Sequence, residues 1–156
     1  MYSIMHAKDT IAGSQAECYI TIDGARYNIM NGVNFKATID KTKTEVPILG
    51  KTGKGHKTTG WNGTFEMTVH YVSSVFRELL VKYKDSGEDV YFDIQVSNED
   101  GTSSAGRQTI VFKDCNLDGG ILAMFDADAE YLTEDLSGTF EDFEMPEKFS
   151  NLEGMI

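Results

Sequence analysis

Proline is scarce, two residues in 156 against fifteen glycines, and Thr, Tyr, Phe, Ile and Val are frequent. That balance leans toward sheet and turns and away from a helical bundle. Cysteine is as rare: Cys18 and Cys115 lack CxxC spacing and lie in strand-like segments, so they read as free, buried thiols and not as a metal or redox motif. Nowhere do eighteen apolar residues follow one another, and residues 1–15 hold no cationic stretch leading into an apolar run, so neither a membrane helix nor a signal peptide is expected. Without secretion, the sequon Asn62-Gly63-Thr64 carries no glycan expectation. Basic residues are outnumbered, 14 Lys and Arg against 25 Asp and Glu, for a formal charge of −11. Such a chain is not expected to hold nucleic acid stably, although DNA can slide past a surface that does not bind it.

What is present suffices for one folded domain over residues 1–156: 40% hydrophobic and 25% charged residues on a chain long enough to bury a core. The charge is unevenly placed. Between Asp114 and Glu147 stand Asp118, Asp126, Asp128, Glu130, Glu134, Asp135, Glu141, Asp142 and Glu144, with no Lys or Arg. Lys36, Lys41, Lys43, Lys51, Lys54 and Lys57, by contrast, face only Asp40 and Glu45. Opposite poles suit head-to-tail association; a solvated acidic face is the plainer alternative.

Residues 17–23 and 26–30 alternate around Asp23-Gly24, which predicts a tight hairpin. Val33, Phe35, Ala37 and Ile39 alternate with Asn34, Lys36, Thr38 and Asp40, a half-buried strand with one wet face. Pro47 suggests an edge or a strand end, and residues 50–60 read as a loop rich in Gly, Lys and Thr. The clearest strand follows, with Trp61, Gly63, Phe65, Met67, Val69 and Tyr71 on one face and Asn62, Thr64, Glu66, Thr68 and His70 on the other. The period then changes: Val75, Phe76, Leu79, Leu80 and Tyr83 predict one helix over about 73–86, started at Ser73 or Ser74 and stopped at Gly87. Residues 90–96, 108–112, 121–125 and 138–145 complete the strand candidates, with a polar loop over 97–106. In the last strand Phe140 and Phe143 fall on opposite faces, so it is either buried on both sides or interrupted by a bulge. The expected core is Phe35, Ile39, Phe65, Met67, Val69, Phe76, Leu80, Phe92, Ile94 and Val96.

No chemistry-bearing motif stands up. The stretch from Gly50 to Thr58 resembles a phosphate loop, but the pattern needs Lys where His56 stands, and a strand follows where a helix should. His6, His56 and His70 have no metal-ligand spacing. Asp126, Asp128 and Glu130 lack the twelve-residue calcium loop. There is no nucleophile elbow and no Cys-His pair. No catalytic residue, cofactor or metal is therefore assigned, and an enzyme is not expected.

Two stretches carry a family resemblance: Gly55-His56-Lys57-Thr58-Thr59-Gly60-Trp61-Asn62-Gly63-Thr64, and Gly138-Thr139-Phe140-Glu141-Asp142-Phe143-Glu144-Met145-Pro146-Glu147-Lys148-Phe149. Both are similar to the tail-tube (core tail) proteins of PBSX-like defective prophages and related contractile tails, and Thr10-Ile11-Ala12-Gly13 and Lys43-Thr44-Glu45-Val46 extend the likeness along the chain. The resemblance implies a mainly β sandwich or barrel with one flanking α-helix, completing a shared β-barrel when six copies close a ring. Stacked rings then form the tube of a contractile phage tail or R-type bacteriocin, enclosing a polar channel for DNA or ion passage. Implied partners are further copies of the chain, the tail sheath protein, the baseplate or tube initiator and the tape-measure protein. Assembly would take place in the bacterial cytoplasm before incorporation into a virion or phage-tail-like particle. Within that frame residues 1–15 read as an N-terminal arm, 50–60 as an inter-ring loop contacting through Lys51, Lys54, His56 and Lys57, and 146–156 as a C-terminal tail. Asn34, Thr38, Asp40, Asn62, Thr64, Glu66, Thr68 and His70 are expected to face the lumen or, alternatively, the sheath. A type VI secretion-like tube and a monomeric calcium- or carbohydrate-binding β-sandwich are the rival readings.

Overall fold

The period-two runs become eight antiparallel strands flanked by one helix in the computed structural model, which describes residues 3–156. Met1 and Tyr2, part of the expected N-terminal arm, lie outside the described residues. In chain order the elements are β1 (Ala16–Ile22), β2 (Ala25–Asn28), β3 (Gly32–Val46), β4 (Gly55–His70), α1 (Val75–Ser86), β5 (Phe92–Glu99), β6 (Arg107–Leu117), β7 (Thr133–Phe140) and β8 (Asp142–Glu147). Hydrogen bonding follows the order β2-β1-β5-β6-β7-β4-β3, with β8 also on β6.

β6 belongs to two layers. Its first part pairs with β5 and β8, whereas Asn116 and Leu117 pair with Thr139 and Gly138 of β7. Asp114 sits between them at φ 53, and the β5 register shifts there, so that Phe92 faces Cys115 and Ile94 faces Phe112. Such a bulge bends and twists a strand, which is how one strand turns from one sheet into the other. The layers close over an aromatic core: Phe65 meets Phe92 at 6.4 Å, Phe35 meets Phe112 at 5.7 Å and Phe112 meets Phe140 at 4.9 Å between ring centroids. The helix places Phe76 on Phe92 at 6.4 Å, and Gly87 ends it in the left-handed conformation at φ 72, its N–H donating to the Tyr83 carbonyl.

Of the expected core, Phe65, Met67, Val69, Phe76, Phe92 and Ile94 are buried, and Phe35 and Val96 pack against them. Leu80 is half-buried. Ile39 is 43% exposed: it lies opposite Gly63, the first β4 residue paired with β7, at the margin of the covered face. The strand expected over 121–125 does not form. Residues 118–132 are a loop, and the ladder beside β4 is formed by β7. The single strand expected over 138–145 is broken at Glu141, whose N–H donates to the Lys113 carbonyl at 3.1 Å as the chain crosses from one sheet to the other. That break lets Phe140 and Phe143, an odd number of residues apart, meet edge to face at 6.1 Å on the same side.

Two glycines of the resembling motifs are sites of close approach. A Cβ on Gly138 would sit 2.1 Å from the Asn116 carbonyl oxygen and 2.7 Å from the Phe65 ring, and one on Gly63 would sit 2.4 Å from the Phe140 ring. Gly138 thus lets β7 cross β6, and Gly63 provides the seat on which Phe140 lies.

Candidate assembly surface

One sheet carries an unbroken polar face built by simple alternation. From Gly63 onward in β4 and throughout β7 every second residue is buried (Gly63, Phe65, Met67, Val69; Glu134, Leu136, Gly138, Phe140), which turns the intervening residues outward. Across the ladder Asn34 opposes Thr68, Lys36 opposes Glu66, Thr38 opposes Thr64 and Asp40 opposes Asn62. On the other side of β4, Thr64 opposes Thr139, Glu66 opposes Ser137, Thr68 opposes Asp135 and His70 opposes Thr133. Short bonds tie the face together: the Thr38 and Thr64 hydroxyls meet at 3.2 Å, and the Thr68 hydroxyl donates to Asp135 at 2.6 Å. All eight residues expected to share a wet face therefore do share one, and all are exposed except the half-buried Thr68. Asp135, Ser137 and Thr139 belong to it as well. The alternation over 133–140 could have revealed them, had the last strand not been started at Gly138.

Beyond Gly63 no further strand pairs with the β3–β4 hairpin among the described residues, and Trp61, packed on Phe140 and Phe143 at 6.1 and 5.7 Å between ring centroids, is its last aromatic contact with the body. From Thr38 to Asn62 every residue is exposed apart from Val46 and Gly55, which are half-buried. The expected loop over 50–60 is shorter than its sequence suggests: β3 continues to Val46 and β4 begins at Gly55, so the turn covers 47–54 and residues 55–60 are strand. Thr44 faces Lys57 and Glu45 faces His56 in a ladder that has slipped one register between Thr42 and Lys43. Lys51 and Lys54 thus lie in the turn, while His56 and Lys57 lie on the strand, all four exposed. Lys54 pairs with Glu45 at 3.5 Å; Lys51 and Lys57 have no ion-pair partner among the described residues. The outer edge of β3, fifteen residues long, pairs with nothing in the described chain.

Residues 9–12 and Ser150 both meet the β5–β6 turn. Asp9 accepts from the Ser104 N–H at 2.9 Å and its hydroxyl at 2.8 Å, and Asp100 accepts from Ala12 N–H at 3.0 Å and from Thr102. These bonds hold both carboxyls below the usual carboxylate range. On the far side the Ser150 N–H donates to the Ala105 carbonyl at 2.7 Å. Burial pushes the Cys18 thiol up to about 11 and the Cys115 thiol up to about 12. No group of three or more His, Cys, Asp or Glu able to hold a metal ion occurs among the described residues, nor is any helix there long and apolar enough to cross a membrane. What the arrangement offers is surface: a polar face, a free strand edge and a projecting arm.

Residues 3–147 match the family described as phage tail tube protein. The PBSX phage-like element protein XkdM of Bacillus subtilis (strain 168) is 37% identical over 147 residues, spanning 94% of this chain and 97% of that protein. Among solved structures, a chain of the six-fold symmetrised anti-feeding prophage baseplate superposes with a TM-score of 0.66 at 9% identity, over 87% of this chain and 95% of the other. A chain of the PVC sheath–tube complex, an extracellular contractile injection system in its extended state, superposes with a TM-score of 0.61 at 8% identity, over 82% of this chain and 86% of the other. These two likenesses are of fold.

Proposed function

Because this chain belongs to the phage tail tube protein family, we propose that it is the repeating subunit of the inner tube of a contractile phage tail or phage-tail-like particle, six copies closing a ring and rings stacking inside a sheath. The observation that carries this reading is the conjunction of a fifteen-residue unpaired edge on β3 with the polar face that begins beside it. A long exposed edge is a pairing template that a monomer has to blunt. Joining it to a neighbour's sheet removes the edge and wraps the polar face around a closed barrel.

In that barrel Asn34, Thr38, Asp40, Asn62, Thr64, Glu66, Thr68 and His70 line the lumen, with Asp135, Ser137 and Thr139 beside them. Among the polar-face residues alternating over 34–40, 62–70 and 133–139, Lys36 is the one fixed cation, against Asp40, Glu66 and Asp135, so phosphates find few partners there and DNA, where a genome is carried, passes without being held. Lys51, Lys54, His56 and Lys57 on the projecting hairpin make the ring-to-ring contact. The resemblance to contractile tails adds a sheath outside, a baseplate initiator at one end and a tape-measure protein within the growing tube, all assembled in the bacterial cytoplasm.

Negative-stain microscopy of the concentrated protein tests the reading. Hollow tubes or six-membered rings are expected, and a protein that stays a 17.3 kDa monomer at every concentration and salt, with or without added tube ends, would sink it.

A further inference from the structure

We propose that the basic tip of the β3–β4 hairpin docks on the acidic loop 118–132 of a second copy of this chain, one ring further along; this rests on the tube reading above and names the receiving surface. The two surfaces lie at opposite ends of a single strand. β4 leaves the tip at Gly55 and finishes at His70. There His70 pairs with Thr133, and the Tyr71 N–H donates to the Leu132 carbonyl at 3.0 Å, which anchors the end of the loop. Sixteen residues of strand at about 3.3 Å each put roughly 50 Å between tip and loop. A copy displaced along β4 brings its tip to this chain's loop and leaves its own loop open, a heterologous contact that repeats without closing.

The chemistry of the two ends is complementary. The tip carries Lys51, Lys54 and Lys57 around Ile48, which is partly exposed, and Leu49, which is wholly exposed. The loop carries Asp126, Asp128 and Glu130 beside Leu122, 69% exposed, and Phe125, 93% exposed. The loop is shaped rather than slack: Ala129 N–H donates to the Asp126 carbonyl at 3.2 Å, Asp128 N–H donates to the Asp126 carboxylate at 3.1 Å, and His70 meets the Tyr131 ring edge to face at 5.5 Å. Each end therefore presents an apolar anchor beside charges mostly of one sign, Glu45 on Lys54 being the exception at the tip; that is the anatomy of an interface whose centre excludes water and whose rim selects the partner.

The test is a charge exchange. Tip reversal (K51E, K54E and K57E together) and loop reversal (D126K, D128K and E130K together) each set like charge against like. Both are expected to leave circular dichroism and thermal melting close to wild type while stopping tube growth. The chain carrying all six changes regains opposite signs and is expected to form tubes again, and, mixed with labelled wild type, to sort into separate tubes. Independently of charge, Leu49→Ser and Phe125→Ser are each expected to raise the critical concentration for assembly by roughly tenfold or more. Normal-length tubes from the loop-reversed chain, or a folded six-change chain that makes none, would overturn the contact while wild-type tubes leave the tube reading standing. Wild type that never forms tubes would take both down together.

Discussion

Arg77 of α1 meets Glu134 of β7 at 2.8 Å, with the carboxylate side chain 2% exposed and the guanidinium 15%. The same guanidinium also donates to the Ser73 carbonyl and lies 4.4 Å from the centre of the Tyr71 ring. Glu134 occupies an inward position of an otherwise apolar alternation, so the pair pins the start of the helix to the sheet at a buried polar point. Removing one partner leaves the other charged and dry. Arg77→Ala is expected to lower the unfolding free energy in urea by about 3–5 kcal/mol, whereas Arg77→Leu with Glu134→Leu should lose markedly less. A double variant no more stable than Arg77→Ala would mean that the geometry of the pair, and not its uncompensated charge, sets the loss.

Gly63→Ala and Gly138→Ala both insert a methyl group where none fits. At Gly138 the obstacle is the Asn116 carbonyl oxygen, which cannot swing aside, so a loss at or above the upper end of about 1–3 kcal/mol is expected. At Gly63 the obstacle is the Phe140 ring, and Phe140→Leu on top of Gly63→Ala should recover part of the loss. Thermal melting of the three variants measures the order.

The thiols supply an alkaline test. Burial raises their pKa values from 9.0 to about 11 at Cys18 and about 12 at Cys115. The folded protein therefore keeps protons that the unfolded chain releases. The stabilisation is complete below the unfolded value of 9.0 and is lost as pH rises from there through the folded values. Cys18→Ser with Cys115→Ala should flatten that alkaline decline in a pH series of urea melts. At neutral pH a disulfide reagent should label Cys115 no faster than the chain unfolds.

Asp9 and Asp100 have the opposite sign. Their carboxyls are held below 3.8, Asp9 mainly by the Ser104 backbone N–H and Asp100 mainly by the Thr102 hydroxyl. Their contribution is present above that value and is lost as pH falls through the lower folded one. Hydrogen exchange should accordingly show the amides of Ala12, Thr102 and Ser104 losing protection at acid pH before the amides of β4 and β5. Asp9→Asn should already weaken Ser104 at neutral pH. Equal loss across the whole chain would mean that acid acts globally and not at this junction.

A cysteine placed at Thr64 or Thr68 reports where the polar face points in an assembled tube. Small thiol reagents should reach it and bulky ones should not, while in the free subunit Thr64→Cys should react with both. Equal reaction with both in the tube would put this face on the outside.

How much was legible in advance depended on how local the cause was. Over β4 the alternation from Asn62 to His70 declared both faces, because period two is a property of the backbone itself and needs no partner. The helix was equally readable from Val75, Phe76, Leu79 and Leu80, and its stop from Gly87, where only glycine takes a left-handed turn cheaply. The resembling motifs, with Gly63 and Gly138 in them, were plain as letters. What those glycines do was not, since the Phe140 ring and the Asn116 carbonyl come from distant segments. The same holds wherever pairing decided the outcome: residues 55–60, coil by composition, became strand because β3 was there to receive them, and residues 121–125, strand by composition, found no ladder and stayed loop. The break at Glu141, the bend at Asp114 and the exposure of Ile39 all follow from which strand reaches which neighbour and where it stops. A sequence carries its own periodicity, but a ladder exists only between two segments, and which two meet is settled by packing the whole chain.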